Sequence, residues 1–215
     1  MEIATETDLT RLWGDGTPKI FLSHKSEYKH ETKALKDELA FFGAAAFVAH
    51  DDISPNRAWQ VEIERALASM DALIALVTDD FCESPWTNQE IGVAIGRGIP
   101  VVSVRIDADP PGFAGAKQAV PGTGRDAKKI AEELVISMEA YPGLEAALRE
   151  GLVREWERSN DFGTTTRLMT ILGKYRAFPS ELTGRLESAF KTNPQINQLN
   201  GISGRFETFL RNVKR

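Results

Sequence analysis

Cysteine occurs once in the 215 residues, at Cys82. A single thiol excludes an intrachain disulfide and a Cys-rich metal site, and it suits a reducing compartment. The three histidines, His24, His30 and His50, are too scattered to suggest a metal centre. No apolar run approaches membrane-spanning length, and the acidic start Met1-Glu2-Ile3-Ala4-Thr5-Glu6 lacks the basic-then-apolar build of a signal peptide. The expectation is a cytoplasmic protein with no membrane partner. A Gly-x-Ser-x-Gly turn is missing, which removes nucleophile-elbow hydrolases. Basic residues form no dense run with interleaved aromatics, so no nucleic-acid partner is expected.

What is present describes an ordinary globular chain, 42% hydrophobic with a net charge of -5. The charge is uneven. Residues 1–141 hold 14 Lys+Arg against 23 Asp+Glu, and residues 142–215 hold 12 against 8. That shift marks two units that attract each other or face different partners. Residues 1–18 form an extension in which Leu9, Leu12 and Trp13 can pack a short helix. Lys19 to Ser23, Ala44 to Ala49, Ala72 to Val77 and Ile99 to Val104 are short apolar strands, and helical periods separate them. Regular alternation with near-continuous apolar strands predicts a flavodoxin-like, doubly wound parallel sheet. Helix resumes at Asp126 and closes the unit near Tyr141. Beyond it Leu144 to Arg158, Thr165 to Ala177, Ser180 to Lys191 and Pro194 to Val213 read as helices, punctuated at Phe178-Pro179-Ser180 and Asn200-Gly201, a helical appendage of two loose hairpins.

The stretch Trp86-Thr87-Asn88-Gln89-Glu90-Ile91 opens a helix between two strands, capped by Ser84 with Pro85 at its first position. Trp86 and Glu90 are four apart and share one face, at the rim outside the carboxyl ends of the strands, where open α/β sheets bind ligands. By itself such a pair describes a packed aromatic and a solvated acid. Two further strand ends join it: Ile20-Phe21-Leu22-Ser23-His24-Lys25, and Phe47-Val48-Ala49-His50-Asp51-Asp52.

Together the three motifs resemble the bacterial form of the Toll/interleukin-1 receptor (TIR) domain, over roughly residues 19–141. The resemblance implies a five-stranded parallel sheet, followed here by an all-helical region, residues 142–215. It also implies cleavage of NAD at the nicotinamide glycosidic bond, with NAD as substrate and no cofactor or metal. By motif position Glu90 is the catalytic residue and Trp86 the aromatic against the nicotinamide. Ser23, His24, Lys25, Phe47 and Asp51 are the implied substrate-binding residues, and the loop from Asp51 to Asn56 matches one used for self-association and gating. In that loop Asp51 and Asn56 stand where the receptor and adaptor branch carries Arg and Gly. A short chain with one such domain looks like the signal-producing component of the Thoeris anti-phage system, which implies a phage-derived trigger and a downstream effector reached through a diffusible nucleotide. The alternative is a non-catalytic module that works by TIR–TIR assembly.

Other motifs weigh less. Trp59-Gln60-Val61-Glu62-Ile63 mimics the key run with its Glu three residues on, and reads as a packing Trp followed by solvated acids, Glu62 and Glu64. Gly92-x-x-x-Gly96-x-Gly98 ends a helix and precedes a strand, the reverse of a phosphate-cradling loop. Asp51-Asp52 follows the second strand and does not match a phosphorelay site. Cys82, beside Phe81, reads as a small buried hydrophobe.

Overall fold

Five short strands account for the sheet in the computed structural model, which describes residues 5–48 and 59–213. They are β1 (Lys19–Ser23), β2 (Ala45–Phe47), β3 (Ala72–Val77), β4 (Val101–Arg105) and β5 (Val120–Pro121). All pair in parallel, in the order β2-β1-β3-β4-β5. β3, with its six side chains buried, lies at the centre. β5 is only two residues long and lies in the Gly/Pro-rich segment, which is why no apolar period announced it.

Strand side chains alternate between faces, so each strand feeds two cores. Ile20, Leu22, Ile74, Leu76, Val102 and Val104 face one way, toward α2 (Lys29–Ala40) and α5 (Ala127–Met138). Phe21, Phe47, Leu73, Ala75 and Val77 face the other, toward α1 (Glu6–Trp13), α3 (Trp59–Ser69) and α4 (Pro85–Gly96). The chain leaves β1 for β2 along one face and returns over β1 to β3 along the other. The C-terminal ends of β1 and β3 therefore flank the topological switch point, where such sheets open a crevice.

The helices after residue 142 extend the first core. They are α6 (Glu145–Glu157), α7 (Phe162–Leu172), α8 (Ser180–Thr192), α9 (Pro194–Asn197) and α10 (Ile202–Val213). Their buried residues join one hydrophobic cluster with Ile20, Leu35 and Leu134 of the α/β unit. Trp156, fully buried, stacks on Phe206 with ring centroids 5.5 Å apart, and Phe206 stacks in turn on Phe190 at 4.6 Å. α6 crosses the β1–β2 region so closely that a Cβ on Gly151 would lie 2.6 Å from the Thr17 carbonyl, and one on Gly43 equally near the Gly151 carbonyl. Only glycine fits that crossing, and Gly43 also takes a φ of 84°. The stretch from Pro194 to Val213 is two helices, divided at the Asn200-Gly201 punctuation, where Gly201 takes a φ of 77°.

Opposite charges meet between the α/β unit and the helices that follow it. Arg158 meets Asp15 at 2.9 Å, Arg149 meets Glu139 at 2.8 Å, and Arg167 reaches both Glu38 at 2.6 Å and Glu132 at 3.0 Å. Among the described residues no helix is long and apolar enough to cross a membrane.

Candidate functional site

The turn before α4 sets the site. Ser84 caps the helix by accepting from the Thr87 amide, and Pro85 occupies its first turn. Thr87, buried beneath, donates its hydroxyl to the Phe81 carbonyl at 2.6 Å, while the Asn88 side-chain amide donates to the Cys82 carbonyl at 2.7 Å. These bonds stitch the first turn of α4 to the strand-end loop, so Trp86 and Glu90 are held in one orientation above the end of β1. Cys82 itself is exposed, because its carbonyl rather than its thiol is what the turn uses.

A cavity of about 290 Å³ opens there. Leu22, His24, Lys25 and Ser26 line it from the β1 side, and Ser84, Trp86 and Glu90 from the α4 side. Trp59, the first residue of α3, closes a third side. Its ring meets that of Trp86 nearly edge-on, with centroids 4.7 Å apart. The Trp59 motif, read from sequence as packing, thus also builds the cavity wall. Its proximity to Trp86 depends on α3 and α4 lying side by side, which spacing along the chain does not reveal.

Glu90 is 7% exposed, and among the described residues its one partner is the Ser23 hydroxyl, which donates to Oε2 at 2.6 Å. Burial pushes its carboxyl up to about 7, and the Ser23 hydrogen bond acts in the opposite direction. Trp86, by contrast, is 45% exposed and presents an indole face to whatever enters. His24 Nδ1 lies 3.2 Å from the Leu22 carbonyl, which can only accept, so that nitrogen carries the proton. Lys25 is engaged by Asp80 at 3.1 Å, and that contact holds its ammonium above the usual range; Asp80 in turn accepts from the Thr78 hydroxyl.

Two expected residues, Ser23 and Phe47, are not part of the cavity wall. Phe47 is fully buried against Trp13 and Phe21, with centroids 6.2 and 5.5 Å away, and is absent from the cavity wall. Its alternation on β2 points it into the sheet core with Trp13 and Phe21. Asp51 lies outside the described residues. Glu62, expected to be solvated, is 1% exposed and held by Arg11 at 2.5 Å and Arg65 at 3.6 Å. Its helix position turns inward toward α1, whose arginine no local pattern in α3 could announce. Among the described residues no group of three or more His, Cys, Asp or Glu could hold a metal ion.

The TIR domain family profile matches residues 20–135, from β1 through most of α5. The chain belongs to the TIR domain family. Among solved structures, the TIR domain of the Toll-related receptor TRR-2 from Hydra magnipapillata is similar, at 15% identity and a TM-score of 0.47, covering 56% of this chain and 97% of that one. None of the curated proteins matches the chain. The family has both NAD-cleaving and scaffold members, and TIR domains commonly self-associate. In this TIR domain the buried acid, the two tryptophans and the β1 end converge on one crevice. A larger groove, about 470 Å³ along Gly98 to Val101 at the other end of β4, has no carboxylate in its wall.

Proposed function

We propose that this TIR domain cleaves NAD at the bond between nicotinamide and ribose. The observation that carries the reading is Glu90, a buried carboxylate with one hydroxyl partner among the described residues, on the wall of a crevice rimmed by tryptophan. Nicotinamide is bound in NAD as a cation. When the C1′–N bond breaks, its electron pair goes to the ring nitrogen and nicotinamide departs neutral, so no general acid is required. The ribosyl cation left behind needs nearby negative charge, which one carboxylate in a dry site supplies. Trp86 can lie against the departing pyridinium, a contact worth roughly 0.5 to 2 kcal/mol, with Trp59 bracing it. The volume is at the small end of ligand sites, which run roughly 300–1,000 Å³, and suits the nicotinamide riboside end while the remainder of NAD extends over the rim.

The nucleophile that adds at C1′ decides the product. Water, losing a proton, gives ADP-ribose; a hydroxyl or nitrogen of the same molecule gives a cyclic isomer; a separate acceptor gives a conjugate. In this reading the product is an immune signal of Thoeris type, made in bacterial anti-phage defence after a phage-derived trigger and sensed by a separate effector. Self-association would complete the crevice, so activity rises with protein concentration.

The test is nicotinamide release by concentrated protein, wild type beside Glu90→Ala, with the nucleotide identified by mass. Release that vanishes in the variant is expected. Wild-type protein that assembles yet leaves NAD intact, even with a crowding agent and lysate from phage-infected cells, would turn the reading to a non-catalytic assembly module.

A further inference from the structure

Ser23 ends β1 with 1% of its surface exposed, in register with Ala75 of β3, and it is not part of the cavity wall. A hydroxyl so enclosed has little access to a ligand. What it does reach is Glu90, on a different element 67 residues away, through the 2.6 Å bond to Oε2. The other carboxylate oxygen, Oε1, has no protein partner among the described residues. A glutamate's terminal torsion is broad and roughly two-fold, so a free carboxylate would sample many planes. A donor fixed in a central strand removes that freedom.

We propose that Ser23 is the positioning residue of Glu90: from β1 it fastens Oε2, and so presents Oε1 to the ribose. The inference rests on the reading of Glu90 as the group that meets the ribosyl cation. It also gives Ser23 a role other than contact with substrate.

Among the described residues, the charged groups around Glu90 leave the serine as its local control. On the β1 side His24 faces the cavity and Lys25 is tied to Asp80. Glu83 lies exposed on the turn before α4. On α3, Glu62 is held by Arg11 and Arg65, and Glu64 accepts from Gln60. Burial and the Ser23 hydroxyl are the two influences on the Glu90 carboxyl, in opposite directions.

The experiment follows the Glu90 carboxyl directly, by carbon NMR titration of the full chain, in wild type, Ser23→Ala and Ser23→Cys. Alongside it runs the pH profile of nicotinamide release. A lost donor disfavours the ionised form, so the midpoint moves toward alkaline pH by about one unit in Ser23→Ala, a roughly tenfold loss of ionised acid below it. Ser23→Cys, a weaker donor of similar shape, falls between and carries the test if the alanine variant does not fold. The plateau kcat drops about tenfold, the worth of a hydrogen bond to a charged group, while KM stays within about twofold. A midpoint unmoved in the folded variants, or a raised KM at an unmoved midpoint, overturns the proposal. If wild type leaves NAD intact the catalytic reading falls, and the NMR titration still decides whether Ser23 governs Glu90.

Discussion

Two buried glutamates sit on neighbouring helices of the same sheet face, and they are opposites. Glu62 on α3 is 1% exposed and has two guanidinium groups, Arg11 and Arg65, within 3.6 Å. Arg65 also meets Asp8 at 3.0 Å, so acid and base alternate through a small network that ties α1 to α3. Glu90 on α4 is 7% exposed and, among the described residues, has a single hydroxyl. A buried charge with its counter-charge holds a fold together; one without it raises the energy of its own ionised form, the usual state of groups that do chemistry. The same side chain, one helix apart, is a tie in one place and a poised acid in the other.

The sharpest way to break the comparison is to neutralise each in turn and measure nicotinamide release. Glu90→Gln is expected to lower kcat by about 10²- to 10³-fold, the scale of losing a preorganised electrostatic contact. Glu62→Gln, measured well below its melting temperature, should leave kcat within about twofold, because Glu62 is tied to Arg11 of α1 and Arg65 of its own helix and does not line the cavity among the described residues. Equal losses from both variants would erase the distinction.

Stability should separate them in the opposite sense. Glu62→Gln leaves Arg11 and Arg65 without their carboxylate and is expected to cost about 2–4 kcal/mol in urea unfolding, somewhat less than a fully enclosed pair because both arginines keep partial solvent access. For Glu90 the sign follows from its titration. Its folded value of about 7 lies above the ordinary glutamate value of 4.5. The folded state therefore holds the proton more tightly, and its stabilising effect is complete below the lower value and lost as pH rises through the upper. Wild-type stability should fall by up to about 3 kcal/mol across that window on account of this group, and Glu90→Gln should remove that part of the slope. Parallel pH profiles for wild type and variant would contradict the burial of an uncompensated acid.

Much of this was legible in the sequence and some of it could not be. Apolar runs marked four strands because buried parallel strands carry no polar alternation, and the Ser84-Pro85 start marked α4 because capping is local chemistry. β5 escaped because two residues make no period. Trp86 and Glu90 fall together because one turn of helix guarantees it. Trp59 packs as its sequence suggests, yet its place in the cavity wall, like the burial of Glu62, is defined by a partner on another element, Trp86 in one case and Arg11 in the other. Phe47 was placed in the crevice by motif position, whereas the alternation of β2 sends it into the core with Trp13. Long-range packing, not local pattern, decides such positions.

The tryptophans extend the comparison from the acid to its wall. Trp86→Ala removes the exposed indole face and Trp59→Ala removes its brace. Each is expected to raise KM for NAD by an amount worth about 0.5–2 kcal/mol, with Trp86→Ala the larger. Because the rings touch, the double variant should lose less than the sum of the single losses, which a double-mutant cycle measures. Strict additivity would show that Trp59 acts on the ligand independently of Trp86.

The smallest effect concerns Lys25, a cation on the cavity wall. Lys25 suits the NAD pyrophosphate by charge, yet its ammonium is engaged by Asp80, whose other oxygen accepts from Thr78. A ligand phosphate would have to compete with that carboxylate. Asp80→Asn should release Lys25 and lower KM by less than about threefold at low salt, the modest scale of a solvent-accessible ion pair. At about 0.5 M salt the difference should fade, since the Debye length is then only a few ångströms. Lys25→Gln should abolish the response to Asp80→Asn, which separates release of Lys25 from any direct action of Asp80. If Asp80→Asn instead raises KM, the pair works as a unit that holds the β1 end in place, and Lys25 would join Glu62 among the charges whose work is done by being matched.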